Sequence, residues 1–172
     1  MNYADIKRVD VANGIGIRVS LFVSGCTHHC EGCFNPETWD FDFGQPFGQE
    51  QIDEILHLLD RPQIRGLSLL GGEPFEPSNQ EPLIDLVKQV REKFPKKDVW
   101  CYSGFRYEAL ADGKVGAHSR ELLELVDILV DGRFILAEKD FSLRFRGSRN
   151  QRILNVPQSL KKGEAVLWEE TR

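Results

Sequence analysis

Three of the four cysteines in this chain stand within eight residues, in the run Cys26-Thr-His-His-Cys30-Glu-Gly-Cys33, a C-x3-C-x2-C spacing. Thiolates that close can converge on one metal centre. Structural zinc is four-coordinate and usually takes its ligands as two separated pairs. A 4Fe-4S cube takes four thiolates. Here the fourth cysteine, Cys101, is remote in sequence. Three thiolates on one loop would hold three irons of a cube and leave the last iron open to an outside ligand. The alternative is a Cys3His zinc site that recruits His28 or His29. A Cys30–Cys33 disulfide would leave Cys26 unpaired, in a chain whose N-terminus carries no export signal.

Composition limits the rest. A length of 172 residues suits one domain, 1–172, and a 41% apolar fraction is enough for a core. The net charge of −5 gives no electrostatic footprint for nucleic acid. No apolar run approaches the roughly 18 to 20 residues that span a bilayer. Residues 1–10 are polar and lack a signal-peptide core. The expectation is a cytoplasmic protein with no nucleic-acid and no membrane partner.

Residues 17–23 alternate Ile17, Val19, Leu21 and Val23 with Arg18, Ser20 and Phe22, which predicts a strand ending at the cysteines. Residues 3–11 read as a short edge strand. Residues 25–48, the cluster loop, show no period, and a loop of that length needs a reason; metal bonds would supply one. Its aromatics, Phe34, Trp39, Phe41, Phe43 and Phe47, are expected for the most part to pack on the core. Residues 49–59 predict a helix with Ile52, Ile55, Leu56 and Leu59 on one face, broken at Arg61-Pro62. A buried strand follows at 67–70. Ser78 and Glu81 have the spacing of a capping box for a helix carrying Leu83, Val87, Val90 and Phe94. Strands at 99–102 and 128–130 flank a helix at 119–126. Short strands are expected at 153–156 and 165–168. Strands alternating with helices imply an α/β fold with a mostly parallel sheet. Ser24-Gly25, Gly71-Gly72, Ser103-Gly104 and Asp131-Gly132 all fall at carboxyl ends of strands, the edge where such sheets bind ligands. The chain is too short for a full eight-unit barrel of roughly 250 residues, so a partial, open β/α barrel is expected.

C-x3-C-x2-C followed by Phe34, with Gly71-Gly72-Glu73-Pro74 about 40 residues later, resembles the two motifs of the radical S-adenosylmethionine superfamily. Several runs narrow the resemblance to the anaerobic ribonucleotide reductase activating protein family. They are Val9-Asp10-Val11-Ala12-Asn13-Gly14, Leu21-Phe22-Val23-Ser24-Gly25-Cys26, Tyr102-Ser103-Gly104, Val130-Asp131-Gly132-Arg133-Phe134 and Phe145-Arg146-Gly147-Ser148-Arg149-Asn150-Gln151-Arg152. The resemblance runs to about residue 156. It implies a radical S-adenosylmethionine core with one 4Fe-4S cluster on Cys26, Cys30 and Cys33. It implies S-adenosylmethionine at the open iron. Gly32, Cys33 and Phe34 would contact adenine. Gly71, Gly72 and Glu73 would receive the methionine amino group, and Ser103, Val130, Asp131 and Gly132 would contact ribose or methionine. No catalytic side chain is implied beyond cluster and cofactor. One electron into the sulfonium would release methionine and a 5′-deoxyadenosyl radical. This radical would take hydrogen from a glycine of the large catalytic subunit of an anaerobic (class III) ribonucleotide reductase, leaving its glycyl radical. A flavodoxin-like reductant would supply the electron, and the arginine-rich segment 141–156 would contact the partner or be paired within the chain. Two alternatives stay open: a small-molecule enzyme of the 7-carboxy-7-deazaguanine synthase type, and a non-catalytic zinc-binding module. Cys101 reads as a small buried hydrophobe, and His28 and His29 as solvent-facing loop residues.

Overall fold

The computed structural model describes residues 1–169; the end of the 157–172 tail lies outside the described residues. Alternation organises the sheet. In β2 (Ile17–Val23), Val19, Leu21 and Val23 are fully buried on one face, and Arg18, Ser20 and Phe22 belong to the other. β4 (Ile64–Gly71), β5 (Asp98–Ser103) and β6 (Ile128–Asp131) repeat the rule. Leu67, Leu69, Val99, Cys101 and Leu129 join the main core, while Trp100, Ile128 and Val130 form a second, smaller cluster. The one sheet therefore has an oily face under the helices and a mixed face beside the candidate site.

These four strands are mutually parallel. β1 (Asn2–Asp10), β3 (Gln45–Pro46) and β7 (Arg152–Asn155) add to them antiparallel, in the order β3-β1-β2-β4-β5-β6-β7. The fold is α/β, with a parallel centre and antiparallel flanks. β1 is not the edge strand expected for 3–11, because β3 pairs outside it through Asn2–Pro46 and Tyr3–Gln45.

α1 (Gln49–Leu59) keeps the expected bounds; the Gln51 side-chain oxygen accepts the Gly48 N–H at 2.8 Å. It buries Leu58, while Leu56, expected on that stripe, is half-buried. α2 (Pro77–Lys93) begins a residue before Ser78, so the expected capping box does not form. Pro77, with its φ fixed, starts the helix instead. α3 (Tyr107–Ala111) and α4 (Ser119–Glu124) link β5 to β6; α3 has no sequence signal, being a single short turn. At 153–156 the expected strand is cut at Asn155, whose side chain accepts the Gln158 N–H at 3.0 Å and caps α5 (Val156–Lys162). Residues 165–168 form no strand, only a bridge between Leu167 and Leu154.

The mixed face encloses an arginine. Arg18 is fully buried; its Nε donates to Ser68 Oγ at 2.7 Å and its guanidinium donates to the carbonyls of Ile15 (2.9 Å) and Leu67 (3.0 Å). Asp98 Oδ1 stands 2.5 Å away as counter-ion. A buried charge stripped of its partner destabilises strongly. Asp98→Ala should therefore lower stability by about 3 kcal/mol or more, seen as a lower urea midpoint at unchanged slope. An unmoved midpoint would mean that the carbonyls alone hold Arg18.

Candidate metal centre and cofactor cavity

Because β2, β4, β5 and β6 run in parallel, the turns that follow them gather at one edge of the sheet. A cavity of about 540 Å³ opens there. Cys26, Cys30, Cys33, Phe34, Gly71, Gly72, Glu73, Ser103, Val130 and Gly132 all line it. Of the residues expected at the site, Gly32 and Asp131 do not.

The cluster loop is held by main-chain bonds as well as by anything its thiols bind. Gly25 N–H donates to Thr38 O at 2.7 Å, and Cys26 N–H to Trp39 O at 3.2 Å. From the other side Gly72 N–H donates to Val23 O and Glu73 N–H to Gly25 O, both at 2.8 Å. Part of the stretch that lacks a period is thus ordered, with a 3-10 turn at Pro36–Trp39 and the strand β3. The glycine pair is explained by these contacts. Gly71 has φ +107°, and a Cβ there would lie 2.7 Å from Val23 N and O; one on Gly72 would lie 2.6 Å from Gly25 O. Backbone on both sides cannot give way, so only glycine fits.

Cys26 is buried, and Cys30 and Cys33 are half-buried. Burial pushes the Cys26 thiol up to about 11, partly opposed by the main-chain N–H groups of His28 and His29. Asn35 N–H donates to Cys33 Sγ at 3.4 Å, a contact of the kind that tunes thiolate ligands. Cys101 lies on the opposite face of β5, fully buried in the main core, and burial raises its thiol well above the ordinary range. It cannot serve as a fourth ligand. Among the described residues, no three His, Cys, Asp or Glu side chains converge where a single ion could sit, which the Cys3His zinc alternative requires. A cube takes its thiolates at separate corners. Three thiols along one cavity wall, with no fourth facing them, fit it.

Glu73 is the centre of the polar structure. It is 1% exposed, and its carboxylate accepts four hydrogen bonds. Oε1 takes His28 Nε2 (2.8 Å) and Gly104 N–H (2.7 Å); Oε2 takes Ser103 Oγ (2.9 Å) and Phe75 N–H (2.8 Å). Asn79 Nδ2 donates to its main-chain carbonyl at 3.0 Å. A second carboxylate, Glu76, accepts from Thr27 N–H (2.8 Å) and Thr27 Oγ1 (2.6 Å), fixing the start of the cysteine run.

Several expectations are corrected. His28 is not solvent-facing: its side chain is 6% exposed. His29 is exposed but stacks on Trp39, ring centroids 4.4 Å apart. The loop aromatics do not pack mainly on the core. Phe34, Phe41 and Phe43 are exposed and Trp39 and Phe47 half-buried, since the core face of the sheet is already filled by helices. Asp131 turns away from the cavity; its carboxylate accepts Tyr107 N–H at 2.8 Å and pairs with Arg152. Arg152 also pairs with Glu108 through two bonds, of 3.1 and 2.9 Å, and these partners hold its proton well above the usual arginine range. Arg146 donates to the carbonyls of Arg149 and Gln151. Arg146 and Arg152 of the arginine-rich segment are therefore structural. Sequence reasoning gave His28 only as a zinc-ligand alternative or a solvent-facing loop residue and gave Arg133 no role of its own, although each follows a strand-ending turn, the one signal that would have joined them to the site.

These features define a class, a small α/β protein with a three-thiolate iron–sulfur loop at a sheet edge. Residues 12–154 match the family model for a 4Fe-4S single cluster domain. The chain is 41% identical over 153 residues to the anaerobic ribonucleoside-triphosphate reductase-activating protein of Escherichia coli strain K12, covering 88% of this chain and 96% of that one. With the protein of the same name from Vibrio cholerae it shares 43% over 153 residues, covering 88% and 96%. With that of Enterobacteria phage T4 it shares 40% over 155 residues, covering 89% and 93%. The chain belongs to the family of anaerobic ribonucleoside-triphosphate reductase-activating proteins.

Glu73→Gln tests the polar centre. An amide has one acceptor oxygen and would turn an NH2 toward two donors. The variant should lose about 1 to 3 kcal/mol in chemical denaturation. A wild-type midpoint would show that the four bonds contribute nothing net.

Proposed function

We propose that this chain is a radical S-adenosylmethionine activating enzyme that installs the glycyl radical of an anaerobic ribonucleotide reductase. The observation that carries this reading is the single cavity shared by three thiols and the Gly71-Gly72 turn, in a chain of this family. When bound, the cluster supplies one electron and S-adenosylmethionine supplies the 5′-deoxyadenosyl group that takes hydrogen from the glycine Cα.

The chain's own residues bind, orient and exclude water. Cys26, Cys30 and Cys33 hold three irons. Cys33 and Phe34 meet the adenine, Gly32 supplies the φ +77° turn between them and Cys30, and Val130 and Gly132 meet the ribose or methionine. The carboxylate of Glu73 already accepts four protein donors. Its part is to hold the turn, and the main-chain carbonyls of Gly71 and Gly72 receive the amino group. Ser103 Oγ donates to Glu73 and accepts Phe105 N–H at 3.0 Å, so its contribution also runs through the turn.

The whole chain, 1–172, acts as one domain, a partial β/α barrel of radical S-adenosylmethionine type, with 25–48 as cluster loop and 141–156 as the segment closing its open side. The reductase subunit reaches the cavity across a rim of Phe34 and Phe141, 60% and 87% exposed, with the Lys139 ammonium 5.5 and 4.5 Å from their rings. A flavodoxin-like protein supplies the electron in the cytoplasm. Among the described residues, no helix is long and apolar enough to cross a membrane.

Anaerobically reconstituted protein should bind about four irons, release 5′-deoxyadenosine when reduced with S-adenosylmethionine, and give a glycyl doublet in electron paramagnetic resonance once the reductase subunit is added. Cys30→Ala should do none of these. Stoichiometric zinc without iron would overturn the reading. Phe141→Ala should keep 5′-deoxyadenosine release without partner but need more reductase subunit for half-maximal doublet. An unchanged requirement would remove Phe141 from the docking rim.

A further inference from the structure

One hydrogen-bonded chain crosses all four turns at the carboxyl edge. Arg133, after β6, donates from Nε to His28 Nδ1 at 3.1 Å and reaches the His28 carbonyl at 3.5 Å. His28, after β2 and between two of the cysteines, donates from Nε2 to Glu73 after β4. Ser103 and Gly104, after β5, donate to the same carboxylate. The roles are fixed by chemistry. Arginine only donates, so Nδ1 accepts and the ring hydrogen sits on Nε2, facing Glu73. Packing holds the ring as firmly. It meets Phe105 edge-on with centroids 4.4 Å apart, and a Cβ on Gly104 would come within 2.6 Å of it.

We infer that His28 is a positioning residue that sets the cysteine loop in register with the turns that receive S-adenosylmethionine. This rests on the proposed function. The thiols stand on one segment and the Gly71-Gly72 turn on another. Besides the main-chain bonds where the loop begins and the Thr27–Glu76 pair next to them, His28 is the side chain inside the cysteine run that ties it to Glu73, directly after the Gly71-Gly72 turn. Without it the three thiols would still be there to hold iron, but the cysteine run would lose its side-chain tie to the carboxylate beside the turn that would receive the amino-acid end of the cofactor. Arg133 locks the histidine tautomer and so acts one step further out. Partners that orient a metal site in this way typically contribute 10- to 100-fold to its affinity or activity.

The test compares wild type with His28→Ala, His28→Gln and Arg133→Ala, all anaerobically reconstituted. Four quantities are measured: iron per chain, thermal midpoint, the dissociation constant for S-adenosylmethionine, and the change that S-adenosylmethionine makes in the spectrum of the reduced cluster. His28→Ala should keep its iron, bind S-adenosylmethionine about tenfold more weakly or worse, and show little spectral change at a concentration that saturates wild type. His28→Gln keeps a donor for Glu73 and an acceptor for Arg133 on one amide and should recover most of the affinity. Arg133→Ala, at an exposed residue, should move in the same direction by less, and it carries the test alone if His28→Ala fails to fold. Wild-type affinity in His28→Ala, or in Arg133→Ala when it stands alone, overturns the inference. So does a glutamine variant no better than alanine, or a loss of iron in step with affinity. A wild-type protein that binds iron but no S-adenosylmethionine would instead sink the proposed function.

Discussion

The saturated carboxylate of Glu73 is the constraint on which the carboxyl edge depends. A buried carboxylate is stable only if donors replace its water, and here four do so, drawn from the cysteine run, the β4–α2 turn and the β5 turn. Since the oxygens are fixed, each donor's segment is fixed relative to the others. The site is thus organised by a group whose oxygens are already engaged by protein donors.

The glycines belong to the same arrangement. Gly71 and Gly72 admit the backbone of residues 23–25 and Thr38, which the main-chain bonds to Val23 and Gly25 then hold. Three crossings support the thiol loop, one through the peptide groups, one through Glu73 and one through Glu76. Burial raises the Cys26 thiol above its ordinary value.

The sheet separates stability from function by its two-residue period. Helices α1, α2 and α4 fill one face, where Cys101 is simply another apolar side chain. The other face carries Arg18, Trp100 and the cavity, closed over by Phe145 and Trp168 against Trp100. The arginine-rich segment contributes to that closure: Arg152 ties β7 to Asp131 and Glu108. Charges that look like a partner-binding patch in sequence are, for Arg146 and Arg152, internal fastenings.

The sequence by itself determined the thiol spacing, the parallel strands 17–23, 67–70, 99–102 and 128–130, and the small-residue turns ending them, because ligand spacing and strand period are local properties. It also determined the family, through motifs contiguous in the chain. Only the tertiary structure decided where side chains without a local pattern point. Ser78 lost its capping role to Pro77 one residue earlier. Asp131 went to Arg152 rather than to the cavity, and Phe34, Phe41 and Phe43 stayed outside a core against which Phe47 packs. His28 found Glu73, 45 residues away, and Arg133, 105 residues away. Such pairings are set by which strand ends the sheet brings side by side, and no periodicity in the chain records that.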